Sequence, residues 1–182
     1  SRMRNMEDNY NMKLGADFYI SKKTTLGIVT TGLINPENFT SNNKSYLMDS
    51  KGVTDSVVMA YSDTKNKWTN GTVNLNFRHQ FDSTGRELTA DLDYATYSSA
   101  GNQIFETETL TPDMGTVLDE EKLRGYLPVN IDIYAAKMDY VQNIFKGKME
   151  AGLKTSFVNT VNAANYYVVR DQGESVDYGK TN

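Results

Sequence analysis

The sequence predicts an all-β protein, an antiparallel meander of about six long strands. Three observations carry that prediction. Val73, Leu75, Phe77, His79 and Phe81 alternate with polar residues, and beyond the polar run 82–87 so do Leu88, Ala90, Leu92 and Tyr94. Successive side chains of a strand point to opposite faces, so this period of two makes one apolar and one polar face. Two such runs around a short, glycine-containing link read as a β-hairpin. The pattern occurs twice more, and the three short links centre near Lys22, Thr84 and Lys146, each 62 residues from the next. Longer, more polar connections near Lys51 and Gly115 lie between them. Short turns therefore gather at one end of the meander and long loops at the other.

Residues 1–9 are charged and aperiodic, an irregular lead-in. Tyr10, Met12, Leu14, Ala16, Phe18 and Ile20 then share one face of a strand. The link 21–24 returns into a Thr-, Val- and Ile-rich strand over 25–34, where Gly27 and Gly32 suggest bulges or close approach. Pro36 is expected to interrupt it, with a polar extension over 39–48 completing a first hairpin, 10–48. A second hairpin, 56–110, opens at Ser56, has an irregularity near Lys65, passes through Trp68 into the Val73–Tyr94 pair and turns polar beyond it. Residues 111–125 read as a longer connection, with one helical turn over 119–123.

The third hairpin is 125–170. Val129, Ile131 and Ile133 share a face, but from Tyr134 the apolar set is Ala136, Met138 and Tyr140. That phase change of one residue predicts a β-bulge near 133–135. Met149, Ala151, Leu153, Thr155 and Phe157 form the return, with an extension over 165–169 and a polar tail from Arg170.

At 182 residues the chain reads as a single all-β unit. Its 19 basic and 23 acidic residues give a net charge of −4 with no long run of either sign. A phosphate-tracking basic patch, and with it nucleic-acid binding, is not expected. Cysteine is absent, so disulfides and thiolate metal sites are excluded. No run of about 18 apolar residues exists to make a transmembrane helix. The polar first ten residues hold no apolar signal-peptide core. A mean hydropathy of −0.57 ordinarily describes a soluble protein, but a barrel evades that test, because only alternate residues face lipid.

Pattern alone leaves two readings open, a soluble or secreted β-sandwich that serves as a binding module for carbohydrate or adhesion, and a slice of a transmembrane β-barrel. A tilted strand needs about 9–11 residues to cross hydrocarbon, and the runs 10–20, 73–81 and 149–157 meet or approach that. In the barrel reading the lipid-facing residues are Tyr10, Met12, Leu14, Phe18, Val73, Leu75, Phe77, Phe81, Leu88, Leu92, Tyr94, Met149, Leu153 and Phe157. Lys13, Asp17, Arg78, Asp91, Asp93 and Lys154 would line a wet lumen. Phe18, Tyr19, Phe81 and Phe145, near the short turns, suit an interfacial aromatic girdle.

Chemistry is sparse. His79 is the single histidine and lies on an apolar face, where packing explains it better than metal or general-base duty. No Gly-x-Ser-x-Gly elbow exists. Asp91 and Asp93 share a face like a carboxylate pair, yet read as lumen or solvated charges. Asp119, Glu120 and Glu121 lack the glycine-punctuated loop of a calcium site. Asn38, Asn43 and Asn70 sit in short patterns that also arise by chance. Trp68, Tyr61, Tyr97 and Phe105 lie on the outlying segments, where aromatic rings contact sugars or peptides. No enzyme activity and no cofactor is expected.

Four blocks carry a resemblance. They are Tyr19-Ile-Ser-Lys-Lys-Thr-Thr-Leu-Gly27; Asn74-Leu-Asn-Phe-Arg-His-Gln-Phe-Asp-Ser-Thr-Gly-Arg-Glu-Leu-Thr-Ala-Asp-Leu-Asp-Tyr94; Leu123-Arg-Gly-Tyr-Leu-Pro128 leading to Ile133-Tyr-Ala-Ala-Lys-Met-Asp-Tyr140; and Met149-Glu-Ala-Gly-Leu-Lys-Thr-Ser-Phe157. On them the chain resembles the outer-membrane β-barrel region of TonB-dependent-receptor-like proteins of Bacteroidetes-type bacteria. The resemblance implies a barrel wall in the bacterial outer membrane, and a longer parent of which this chain is an internal fragment. It further implies a plug, an energy-coupling protein and an imported nutrient ligand. Six strands cannot enclose a plug, which takes about 22. A lone fragment is therefore expected to curl into a sandwich or partial barrel, or to self-associate.

Overall fold

The computed structural model describes residues 1–170 and 173–181. They form one antiparallel sheet of nine strand segments: β1 (Arg2–Glu7), β2 (Tyr10–Ser21), β3 (Thr24–Met48), β4 (Thr54–Gln80), β5 (Glu87–Leu110), β6 (Val117–Ile144), β7 (Gly147–Asn162), β8 (Asn165–Arg170) and β9 (Gly173–Val176). Consecutive long strands pair in a meander from β2 to β7. β1 continues the line of β2 along β3, and β8 continues β7 along β6, both without any slip in register. The nine segments are thus the six expected strands, two of them broken once, plus the short β9.

Both breaks lie opposite a proline. Pro36 of β3 faces Asp8, and Pro128 of β6 faces Ala163. Proline has no N–H, so it cannot return a ladder bond. The Asp8 amide still donates to the Pro36 carbonyl at 3.2 Å, and that of Ala163 to the Pro128 carbonyl at 3.1 Å. The reciprocal bond to the Asp8 carbonyl comes instead from the Asn35 side-chain amide, at 3.2 Å. Pro36 therefore interrupts its neighbour's ladder and leaves β3 whole, contrary to the sequence expectation.

Several other expectations are corrected. Residues 1–9 are no loose lead-in, since Arg2–Glu7 pairs with β3, and the tail beyond Arg170 returns as β9 along β8. Asp119, Glu120 and Glu121 make no helical turn; they pair with Thr109, Glu108 and Thr107 in β6. Charges on both faces of that stretch hide its alternation. The connections at the far end, 49–53 and 111–116, are as short as the 81–86 link. The asymmetry lies in the strands, which run far beyond the apolar stretch before they turn.

No bulge exists at 133–135: β6 keeps one register with β5 and with β7 throughout that stretch. Its apolar residues change face instead. Gly27 and Gly32 also lie in unbroken register, while true shifts occur between Tyr19 and Ser21, Leu47 and Met48, and Thr109 and Leu110. Near Lys65 two pairings are skipped, at Asn66 and Lys67, without a slip.

The sheet folds into neither a sandwich nor a closed barrel, because each segment touches only those hydrogen-bonded to it. Among the described residues the buried apolar side chains are Val57 and Leu110 alone. Tight links hold the short-turn end together. Asp82 accepts from the Thr84 hydroxyl at 2.6 Å and from its amide at 3.0 Å, bonds that hold its carboxyl below the usual range. Lys23 Nζ donates to the Phe81 carbonyl at 2.8 Å, tying the first hairpin to the second, and Asn143 donates to the Thr84 carbonyl, tying in the third.

Candidate functional site

The functional surface is the sheet itself, and register decides which residues share a face, since directly opposed side chains project together. One cross-strand row reads Phe18, Leu26, Phe77, Ala90, Met138, Leu153; the next reads Ala16, Ile28, Leu75, Leu92, Ala136, Thr155. A third reads Leu14, Thr30, Val73, Tyr94, Tyr134, Phe157. Tyr10 lies opposite Ile34, Met12 opposite Gly32, Leu88 between His79 and Tyr140, and Met149 opposite Gln142. Phe81, just past β4, joins them through ring contacts with His79 and Tyr140. Every residue expected to face lipid therefore sits on one face, in one band.

The band is open to its surroundings, with Leu92 57% and Leu153 70% exposed. On β3 it extends from Thr24 to Ile34, about 33 Å along the strand at the usual rise. At a tilt of roughly 40° that is about 25 Å of height, the hydrophobic thickness a barrel presents to a membrane.

Aromatic rings mark both ends. Near the short turns the His79 ring lies 4.6 Å from Phe81, centre to centre, and Phe81 lies 6.3 Å from Tyr140. His79 Nδ1 bonds the Thr24 hydroxyl at 2.8 Å, so this imidazole is part of the band. Phe145 projects fully exposed from its turn. Tyr19, expected in this girdle, opposes Thr25 and belongs to the polar face. On β5, β6 and β7, where the apolar run stops at the level of Thr30 and short of Ile34, Tyr94, Tyr134 and Phe157 form a continuous line with centroids 5.0 and 6.4 Å apart. The Tyr94 hydroxyl reaches away from the band to Asp132 at 2.9 Å. Sequence reasoning placed no girdle here; only register brings the three rings, from three strands, side by side.

The opposite face carries Lys13, Asp17, Arg78, Asp91, Asp93 and Lys154. Gly27 lies between Asp17 and Asn76 on its neighbours, and a Cβ there would fall 2.6 Å from the Asp17 carboxylate. The glycine gives those two polar side chains room to fold across β3. Asp93 accepts from Asn74 at 2.6 Å, and Arg78 pairs with Glu87 at 2.8 Å. Asp91 opposes Lys137, which is ion-paired with Asp139. The two aspartates thus lie within a mixed-charge wall. Among the described residues no three histidine or acidic side chains gather as metal ligands.

Beyond the band both faces become polar. On the continuation of the band's own face, Lys122 pairs with Glu106. Arg124 makes a two-pronged contact with Glu174, its Nε at 3.0 Å and Nη2 at 2.5 Å, and lies 4.4 Å over the Tyr167 ring. Trp68, Tyr97 and Phe105 continue the polar face, whereas Tyr61, opposite Asn42 and Glu106, points the other way.

One sheet with an apolar band of membrane height on one face, charges on the other and almost no core of its own is the wall of a membrane β-barrel. The chain belongs to the outer membrane protein β-barrel family, whose model matches residues 79–182. That membership points to the outer membrane. A search of curated proteins finds no match for the chain.

Proposed function

We propose that the chain is a wall segment of a TonB-dependent outer-membrane receptor of the Bacteroidetes type, in a parent that imports a nutrient ligand. The observation that carries this reading is the band on one face, uncovered by any part of the chain and matched in height to a bilayer. Lipid is its natural cover. A shallow groove of about 440 Å³ lined by Leu75, Leu92, Tyr94, Tyr134, Ala136 and Phe157 lies within the band.

The segment is non-catalytic and takes no cofactor. Its role is architectural: it supplies wall, lumen surface and outer rim, while coupling to TonB and the plug belong to other parts of the parent. Asp17, Asn76, Asp93 and Lys154 face the lumen and leave it wet. Its partners are outer-membrane lipid, the plug and the transported ligand, and not nucleic acid. Alone, with both edges unpaired, it self-associates.

The test is extraction of the parent from cells. Release only by detergent, together with a gel mobility that shifts on heating, is the expected outcome. A parent recovered in the soluble fraction overturns the proposal. The TonB link is tested separately, by loss of ligand uptake when the coupling protein is deleted.

A further inference from the structure

At its end away from the short turns, the apolar band contains a hollow of about 490 Å³. Gly32 and Gly71 oppose each other there, so two neighbouring strands offer no side chain and the backbone forms the floor. Tyr10, Met12 and Ile34 wall one side, all three open to the surroundings. Thr69, Thr96 and Ser98 put hydroxyls on the other. Nothing lies within 4 Å of where a Cβ at Gly32 would stand, so the space is not filled from a neighbouring strand.

Two cations stand directly beyond this hollow. Lys67 and Lys65 follow Thr69 at two-residue steps of β4 and project from the same face, about 7 and 13 Å further along. Lys67 is exposed and, among the described residues, pairs with no carboxylate. The Lys65 side chain is 70% exposed and keeps only a long contact of 3.9 Å with Asp63. Arg4 and Arg2, opposite Thr40 and Asn42, add two exposed cations to the same face. The carboxylates at this level are Asp8 and Asp63. Across β5–β9 the balance differs, because Lys122 and Arg124 are taken up by Glu106 and Glu174. Unpaired positive charge is thus gathered on the half of the sheet that holds the hollow.

We propose that this hollow seats one membrane lipid with an anionic, phosphate-bearing headgroup. An acyl chain lies over Gly32 and Gly71 against Met12 and Ile34, its ester group meets the hydroxyl wall, and Lys67 and Lys65 hold the phosphate. Lysine carries its charge on a flexible apolar stem, long enough to bend back over that step. A cationic pocket at the boundary of the hydrocarbon is the arrangement that selects an anionic headgroup. A zwitterionic headgroup would bring a cation of its own against the lysines. The proposal rests on the reading that the band faces lipid, and it adds one selective position to a wall otherwise covered by lipid of any kind.

The parent, purified in an amine-oxide detergent, is titrated with dioleoyl phosphatidylglycerol, monophosphoryl lipid A or dioleoyl phosphatidylcholine, and bound lipids are counted by native mass spectrometry. At least one of the two anionic lipids should be retained at concentrations where phosphatidylcholine is not. Lys65→Gln combined with Lys67→Gln should lower the affinity for that molecule about tenfold, and Lys13→Gln, on the opposite face, should leave it unchanged. Gly32→Leu should fill the hollow and displace the lipid while the heat-modifiable mobility is kept. Thr69→Leu fills the same hollow from β4 and serves where Gly32→Leu does not fold. Equal retention of anionic and zwitterionic lipid, or undiminished binding in the double lysine variant or in the filled variant, overturns the proposal. Displacement of the lipid by inorganic phosphate, with Gly32→Leu still binding phosphate, would make the lysines an anion site without an acyl chain and overturns it too. A heat-modifiable barrel that retains no anionic lipid defeats this site alone, whereas a soluble parent defeats the receptor reading on which the site rests.

Discussion

Pro36 and Pro128 show how one residue type acts on the strand beside it. Each keeps its own strand intact and leaves a gap in the edge strand opposite, and at Pro36 the gap is closed by a side chain from the next residue along. Arg124 plays a comparable part at the other edge, where β8 and β9 are joined to β6 by its contact with Glu174. Hydrogen bonds from the guanidinium, with its charge, hold the Glu174 carboxyl below its ordinary range and raise Arg124 further above its own. Arg124 stays charged at any ordinary pH, so only the carboxylate titrates. A lowered folded value means that the contact's contribution is present above the unfolded carboxyl value of about 4.3. It fades as pH falls through the lower folded value. The β9 amides should therefore gain hydrogen-exchange rate, beyond the intrinsic pH effect, as the protein is taken from neutral pH to below about 4. Glu174→Gln should show the fast rate already at neutral pH; equal protection in both proteins at both pH values would refute the argument.

At the scale of elements, what the sequence revealed and what it hid follow from the same geometry. Alternation is visible where one face is apolar and the other polar, so β2, the band part of β4 and β7 were readable from residues alone. In β6 the apolar set changes face at Tyr134 while the strand runs on, and a one-dimensional pattern cannot distinguish that from a bulge. In residues 119–123 both faces are charged, and no period survives to be read. The grouping of Glu7, Asn35, Trp68 and Tyr97 around one hollow on the polar face is further out of reach, because they come from four segments and meet only once register is fixed. The sequence marks Trp68, Tyr61, Tyr97 and Phe105 as outlying aromatic residues, but only register shows that Tyr61 points away from the other three. The face assignment makes a sharp distinction between neighbours. In the protein reconstituted in bilayers, Leu92→Arg at mid-band should cost about 2–4 kcal/mol. Ser156→Arg on the lumen face should stay within about 0.5 kcal/mol. Denaturant titration of the two variants reads the difference, and similar costs would mean that Leu92 does not face hydrocarbon.

For the whole molecule the deciding quantity is the missing core. A soluble chain of this length would bury well over half the surface its unfolded chain exposes, yet here the buried apolar side chains among the described residues are one facing pair, Val57 and Leu110. The single-layer sheet must gain its stability from elsewhere; on the proposed reading lipid covers the band on one face and further strands of a longer parent cover the two edges. The chain contributes no cysteine of its own, so a label can be placed at chosen positions and read against the parent without added cysteines. Single cysteines placed at Leu14, Leu75 and Leu153 should be protected from a water-soluble maleimide when the parent sits in its membrane. Cysteines at Asn76 and Lys154, one strand position out of phase with the band, should label through the wet lumen. Solubilisation by a denaturing detergent should make all five react alike. Labelling that ignores the period of two in the intact membrane would mean that the band is covered by protein and that the sheet packs against a second layer.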